Sequence, residues 1–466
     1  GQGLECVLLC AKSCFGDVVV FRNKKVSLSK SRVIIFSLQL LLCSPLLSSE
    51  KSINSGSDSW INQLEQSPTD LPSHVNNLDE LIELSLSRNS EIRALYAAWK
   101  TSEEAGNTIS SLPDPIVGVG YFIEPVETAQ GPQSAKISLG QTIPWFSKIR
   151  AARETSEYQS LQNLKALEAE KLSLIREISH LWVEAGHIRS KTSIIGAKTA
   201  LSRDLEEILI VQYQSASISH KKLVEVQVQT LQLENDLRDV ESQFYRLNVK
   251  LGSILKLDSP VPDDFLALQP GSSEYEYSTG EVSRDHPRLQ GLEAMVQETQ
   301  ARKASAQAAY IPDLKIGLDY ILTDKKMTNG VDVDGSGKDP LILSAGIALP
   351  LWNWKSKKAE VKSSKWREKK ARALLDAESS RLTQEYEISR SRLAENLRLI
   401  QLYEDQLIPK AREIEKVMQQ EYIGQSSDVF SYTMARQHVL DLQLELTNAQ
   451  YSAQLHLADL SYLKGN

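Results

Sequence analysis

Residues 136–148 read KISLGQTIPWFSK, and residues 341–357 read LILSAGIALPLWNWKSK. In the first stretch Ile137, Leu139 and Ile143 alternate with Lys136, Ser138, Gly140 and Thr142. In the second, Leu341, Leu343, Ala345, Ile347 and Leu349 alternate with Ser344, Gly346 and Ala348. A period of two is a strand with one apolar face. Each run then meets a proline, Pro144 or Pro350, and tryptophan follows at Trp145 or at Trp352 and Trp354. Ser147 and Asn353 suit the N-cap of the helix-period stretch beyond.

Two further runs share this period. Val117, Val119, Tyr121 and Ile123 lie on one face of Ile116–Ile123; in Leu314–Leu322, Leu314, Ile316, Leu318, Tyr320 and Leu322 alternate with Lys315, Gly317 and Asp319. Alternation over ~9 residues, apolar on one side and small or polar on the other, is the pattern of a membrane β-barrel strand. Soluble sheets alternate too, so the weight rests on four such runs at symmetric places. In a barrel, Lys136, Ser138, Lys315, Asp319 and Ser344 fall on the lumen face. Trp145, Trp352 and Trp354 then lie at the membrane–water boundary, which tryptophan favours; core packing is their other reading. Four strands cannot close a barrel, and open edges in lipid leave backbone N–H and C=O groups unbonded. The smallest bacterial barrels have ~8 strands; two copies would give 8 and three 12, and this argument does not choose between them.

The chain reads as written twice. Asn89-Ser90-Glu91-Ile92 answers to His286-Pro287-Arg288-Leu289, Pro113-Asp114 to Pro312-Asp313, Leu139–Pro144 to Ala345–Pro350, and Tyr213 to Tyr422. These matches keep their order at a spacing of roughly 200 residues, which predicts a tandem repeat. The expected organisation is an upstream extension and signal peptide at 1–49 and an N-terminal linker at 50–77. A first repeat occupies 78–257, an acidic Pro-containing linker 258–280, and a second repeat 281–466. Each half reads helix, strand, strand, long helix, turn, helix. The first helices are expected at about Leu78–Ser111 and Glu281–Ala309, ended by the Pro-Asp pairs.

From Ser147 to Tyr213 and from Asn353 to Tyr422 the only strong helix terminator is Pro409, where a kink is expected. Runs of ~65 residues would extend about 100 Å. In the returning helix, Leu223, Val226, Thr230, Leu233, Leu237, Val240, Phe244, Leu247, Leu251 and Ile254 step by three and four, a heptad seam. The connecting turns are Tyr213–Ser219 (YQSASIS) and Tyr422–Asp428 (YIGQSSD). Gly424 fits a C-cap of positive φ, and Ser426, Ser427 or Asp428 can cap the next helix. Ala216 is read as standing in the first turn where the second has Gly424.

Composition narrows the class. The 466 residues carry a formal net charge of −7, with no basic excess that would point to nucleic acid. Aromatics are 6% and charged residues 24%, a mix suited to long helices with a thin apolar seam. All four cysteines, Cys6, Cys10, Cys14 and Cys43, lie in the first tenth of the chain, so the body has no disulfide, thiolate metal site or cysteine nucleophile. Lys24, Lys25, Lys30 and Arg32 precede the apolar run Val33–Leu42, the order of an export signal. Cys43 is a candidate for lipidation, although Leu42 before it is larger than such signals carry.

Sites that resemble chemistry are weak. Asp332, Asp334, Ser336, Gly337 and Asp339 imitate the start of a calcium loop, but the twelfth position is Leu343 where a bidentate Glu is required; a hairpin loop is expected instead. The seven histidines are scattered, His180 and His187 on one helix, and Met295, Met327, Met418 and Met434 form no cluster. No catalytic or cofactor motif is found, so neither enzyme nor cofactor is expected. Glu421 and Asp428, near the second turn, are candidates for an acidic constriction in a symmetric assembly, with a solvated helix end as the alternative.

Taken together, QTIPWFSK at Gln141–Lys148, ALPLWNWKSK at Ala348–Lys357, the Tyr-x-x-Gly-x-Ser turn at Tyr422–Ser427 and the doubled unit resemble the TolC family of outer-membrane efflux proteins. QTIPWFSK is most similar to its heavy-metal branch, the CusC- and CzcC-like members. The resemblance implies a mainly α chain with four strands. It further implies a homotrimer with a twelve-stranded membrane β-barrel and a long periplasmic α-helical barrel. Partners would be a periplasmic adaptor (membrane fusion protein), an inner-membrane resistance-nodulation-division pump and outer-membrane lipid. The adaptor would dock at the turns, through Tyr213, Ala216, Ser217, Tyr422, Gly424, Gln425, Ser426 and Ser427. The expected function is the exit duct for small molecules or heavy-metal cations. An exit duct for type I protein secretion and a soluble periplasmic coiled-coil adaptor are the alternatives.

Overall fold

A computed structural model describes residues 60–61, 64, 71–109, 111–266, 285–328, 330–349, 352–424 and 426–465. The signal segment with Cys43, most of 50–77, the larger part of 258–280 and Gln425 lie outside the described residues. The chain is mainly helical. Helices α1 (Leu78–Arg88) and α2 (Ser90–Ile109) lead into strands β1 (Ile116–Thr128) and β2 (Gly131–Ile143), then α3 (Phe146–Gln214) and α4 (His220–Ile254). Helix α5 (Pro287–Ala308) leads into β3 (Leu314–Thr323), the short hairpin β4 (Met327–Thr328) and β5 (Val331–Asp332), and β6 (Leu341–Ile347). The chain ends with α6 (Trp354–Leu402), a π-helical turn (Tyr403–Leu407), α7 (Ile408–Ile423) and α8 (Val429–Lys464).

Three boundaries differ from expectation. The first helix is broken at Asn89, which is extended at φ −64° and ψ 127°. Its side-chain oxygen accepts from the N–H groups of Glu91 (2.8 Å) and Ile92 (3.1 Å), so this asparagine starts a second helix instead of continuing the first. Ser147 is not an N-cap: α3 begins one residue earlier, after Trp145, and Ser147 lies inside it. Asn353 does precede α6, but its side chain makes no capping bond. Before Pro409, which has no N–H to give the preceding turn, the long second run passes through the π-helical turn Tyr403–Leu407.

The four long strands form one antiparallel sheet in the order β1-β2-β3-β6. Strands β2 and β3 join the halves of the chain, with Leu139 opposite Leu318 and Ile143 opposite Leu314. Strands β1 and β6 each lack a second strand neighbour among the described residues. The helices attached to the strands follow the same order, α2 on α3, α3 on α5 and α5 on α6. With 69 residues, α3 is about 100 Å long at 1.5 Å per residue. Helices α4 and α8 both pack along it. The heptad seam is the buried face of α4, through Leu223, Val226, Thr230, Leu233, Val240, Leu247 and Leu251. Among the described residues no helix is long and apolar enough to cross a membrane.

The β1–β2 hairpin turns tightly at Gly131, whose φ is +127°. A Cβ there would stand 1.9 Å from the Asp324 carbonyl oxygen, because the turn abuts the end of β3. Gly131→Ala is therefore expected to destabilise by more than about 1 kcal/mol, whereas Gly120→Ala, with nothing within 4 Å of its Cβ position, is not. Thermal unfolding of the two variants in detergent tests this; equal midpoints would contradict it.

Candidate functional site

The register sorts the strand residues onto two faces. Val117, Leu139, Leu318 and Leu343 form one cross-strand row, and Val119, Ile137, Tyr320 and Leu341 the next. This face is apolar and exposed, Val119 by 77% and Leu343 by 75%. The opposite face carries Lys136, Ser138, Lys315, Asp319 and Ser344. There the Lys136 amine lies 3.0 Å from the Asp319 carboxylate. Ser138 donates to the Gly118 carbonyl and Ser344 to the Gly317 carbonyl, each at 3.3 Å. At Gly118 and Gly317 alike, a Cβ would come within 2.6 Å of the serine hydroxyl, so glycine is what admits both bonds. The polar face is not uniform: Ile321 and Ile342 also lie on it, opposite Lys136 and Asp319.

At the base of the sheet the tryptophans are exposed, Trp145 by 48%, Trp352 by 87% and Trp354 by 60%. Trp354 meets Tyr310 edge-on, with ring centroids 4.8 Å apart. Lys148 joins the start of α3 to Asp313 at 2.7 Å, and the Lys357 amine donates to the Ala309 carbonyl. At the other end of the strands, the segment that imitates a calcium loop is spent on structure. Asp339 accepts from the Thr323 N–H (2.8 Å) and the Tyr320 hydroxyl (2.5 Å), and Asp332 pairs with Lys325.

Both helical tips close with the same long-range bond. Ser217 N–H donates to the Gln212 carbonyl (2.8 Å), and Ser426 N–H to the Glu421 carbonyl (2.9 Å), a Schellman closure. The expected cap geometry is corrected here. Gly424 has φ −77° and ψ 3°, not a positive φ. Its counterpart, counted from Tyr213 and Tyr422, is Ser215 at φ −85° and ψ 9°, not Ala216. Ala216 instead takes the left-handed position at φ +55°, a strained conformation for a residue with a Cβ. Its counterpart Gln425 lies outside the described residues.

Asp428 ties the tips together. One carboxylate oxygen caps α8 by accepting from Ser431 N–H (2.9 Å), and the other lies 2.5 Å from the Lys222 amine on α4. Lys222 also sits 4.4 Å from the Phe430 ring centroid. Beneath this contact Leu205, Leu209, Leu223, Val226 and Val429 form a small core. The Lys222 bond first, then the Ser431 bonds, lower the Asp428 carboxyl to about 2. The pairing of Lys222 with Asp428 spans 206 positions and leaves no local signal in the sequence.

His180 and His187 pack against α8. His180 lies 3.0 Å from Asp459, beside Arg176 at 3.1 Å from the same carboxylate oxygen. His187 stacks on Tyr451 at 4.4 Å, and burial, reinforced by Lys191, lowers it to about 4. Among the described residues no group of acids, histidines and cysteines could hold a metal.

Because its folded-state pKa is below the ordinary 3.8, Asp428 contributes stability that is present above pH ~4 and is lost as pH falls through about 2. Asp428→Ala removes the cap and should cost about 1 kcal/mol at neutral pH. The gap between variant and wild type should narrow toward pH 2. Thermal unfolding across that window checks this; a gap that does not depend on pH would contradict it.

Residues 280–466 match the outer membrane efflux protein family model. No match is found among curated proteins. Several solved structures share the fold. The outer membrane protein VceC from Vibrio cholerae is 15% identical, with a TM-score of 0.66 over 84% of this chain and 96% of that one. The MtrE outer membrane channel of Neisseria gonorrhoeae is 15% identical, with a TM-score of 0.67 over 86% and 94%. CusC is 12% identical, with a TM-score of 0.66 over 84% and 92%. Over its second half the chain thus resembles the outer membrane efflux protein family, and over the described residues it shares the fold of these outer-membrane channels.

Proposed function

We propose that the chain is the outer-membrane exit duct of a tripartite efflux pump, built as a homotrimer and extending into the periplasm. The observation that carries this reading is the open antiparallel sheet with a largely exposed apolar face and two edges that lack a further strand among the described residues. Three copies would join β6 of one to β1 of the next and close a twelve-stranded barrel, leaving no unbonded backbone in lipid. The polar face with Lys136, Ser138, Lys315, Asp319 and Ser344 then lines the lumen, and Trp145, Trp352 and Trp354 mark the membrane boundary. We read the halves as a duplicated unit; the matched Gly118–Ser138 and Gly317–Ser344 contacts support this.

The helices continue the barrel into the periplasm, and the tips at Tyr213–Ser219 and Tyr422–Asp428 dock an adaptor that couples to a resistance-nodulation-division pump. Lys222 balances Asp428 within the chain, so Glu421 carries the acidic ring at the entrance. A conduit works by shape and charge and needs no catalytic residue. Its cargo is small molecules or heavy-metal cations. The exposed apolar face speaks against the soluble-adaptor alternative, which would leave it in water.

Membrane fractionation followed by a heat-modifiability gel is the test. A sodium dodecyl sulfate-resistant oligomer in the outer-membrane fraction that dissociates on boiling is expected, and a soluble monomer would overturn the reading. Loss of the gene should raise susceptibility to the exported class, metal salts or organic toxicants, and unchanged susceptibility to both would contradict an efflux role.

A further inference from the structure

The two strand pairs at the ends of the sheet share one register. Val117 faces Leu139 in β1–β2, and Ile316 faces Ala345 in β3–β6, 199 and 206 positions later. The same two offsets carry every pair from Ile116↔Gly140 to Tyr121↔Ala135 onto those from Lys315↔Gly346 to Tyr320↔Leu341. Over this stretch the two pairs match residue for residue, with β1 answering to β3 and β2 to β6. One junction between them lies within the chain, β2 on β3, with Leu139 opposite Leu318 and Ile143 opposite Leu314. The free edge of β6 is thus the edge that β2 gives to β3, and the free edge of β1 is the edge that β3 gives to β2.

We propose that copies of this chain join β6 to β1 in the register of the internal junction, with Ala345 opposite Val119 of the partner subunit and Ser344 opposite Gly120 of the partner subunit. The offsets take Leu139↔Leu318 to the first of these pairs and Ser138↔Asp319 to the second. The inference rests on the reading of the sheet as one third of a closed barrel.

This register continues the rows of both faces. The apolar row Val117, Leu139, Leu318 and Leu343 runs on to Tyr121 of the partner subunit. The small row Gly140, Gly317 and Ser344 runs on to Gly120 of the partner subunit. Any other register that keeps apolar residues on one face differs by two residues, because side chains alternate. Barrel geometry bears on that choice. Across one copy, Val119 leads through Ile137, Tyr320 and Leu341 to Ile123 of the partner subunit, a step of four residues. Three copies then step by about 12 residues over about 12 strands. With a rise of ~3.3 Å per residue and ~4.8 Å between strands, the tilt is about 35°. Membrane barrels lie at about 35–45°, whereas a step of two residues per copy gives only about 20°.

Paired cysteines in the full chain, oxidised in outer-membrane vesicles, test the register. Within one copy β1 and β6 are separated by β2 and β3, roughly 14 Å, too far for a disulfide, so every bond joins copies. V119C/A345C tests the apolar face and G120C/S344C the polar face. One of the two faces carries the closer, non-hydrogen-bonded pairs of an antiparallel ladder, so both are needed. The displaced controls are V117C/A345C and Y121C/A345C on the first face, and G120C/I342C and G120C/G346C on the second. Each sets its two positions ~7–8 Å apart, at or beyond the reach of a disulfide. Single-cysteine variants are the blanks. On at least one face the in-register pair should oxidise about tenfold faster than its displaced controls, and its ladder should end at the covalent trimer. Faster linkage of a displaced pair overturns the register and leaves the ring standing. Linkage of none of the six pairs overturns the ring and the register together.

Discussion

A four-stranded antiparallel sheet with an apolar face has two places to hide its unpaired edges, a neighbouring element of its own chain or another chain. Here β1 and β6 end the sheet without a further strand among the described residues, and the attached helices leave those edges open. In water the exposed valines, leucines and tyrosines of this face are unfavourable; in lipid the unbonded edges are. The proposed ring of copies in a membrane would relieve both.

The helices repeat this logic in water. A single amphipathic helix of 69 residues has no use for its length unless other long helices cover its seam. In α3 that cover comes from α5 near the sheet and from α4 and α8 farther away. The halves are stitched near the tips by side chains as well as by packing, Lys222 to Asp428, Lys198 to Asp441 and Gln229 to Gln437. In the proposed tube, with a wall one helix thick and little core, such contacts would help to fix the relative height of neighbouring hairpins.

Much of this was legible in the sequence because it rests on periodicity. Period-two runs placed all four strands, and Lys136, Ser138, Lys315, Asp319 and Ser344 do share one face, since alternation alone assigns faces. The heptad seam of α4 was legible for the same reason. What failed was local and depended on single side chains. Asn89 breaks a helix whose apolar pattern continues through it, because its amide is a better cap than a helix former. Residue type alone suggests a positive φ at Gly424, yet Gly424 has φ −77°, and in the first tip the left-handed position is Ala216, one residue past the counterpart Ser215. Contacts such as Lys222–Asp428 join residues far apart in sequence and were beyond reach without the fold.

The strand edges give the most direct test. All the cysteines precede residue 44, so paired cysteines can be introduced without native thiols in the body. One would be placed along Ile116–Tyr121 of β1 and the other along Leu341–Ile347 of β6, and the membrane-bound protein oxidised. The account predicts pairs that link different copies, giving a ladder on a non-reducing gel that stops at the covalent trimer. Bonds confined to single chains, or none at any pairing of positions, would contradict it.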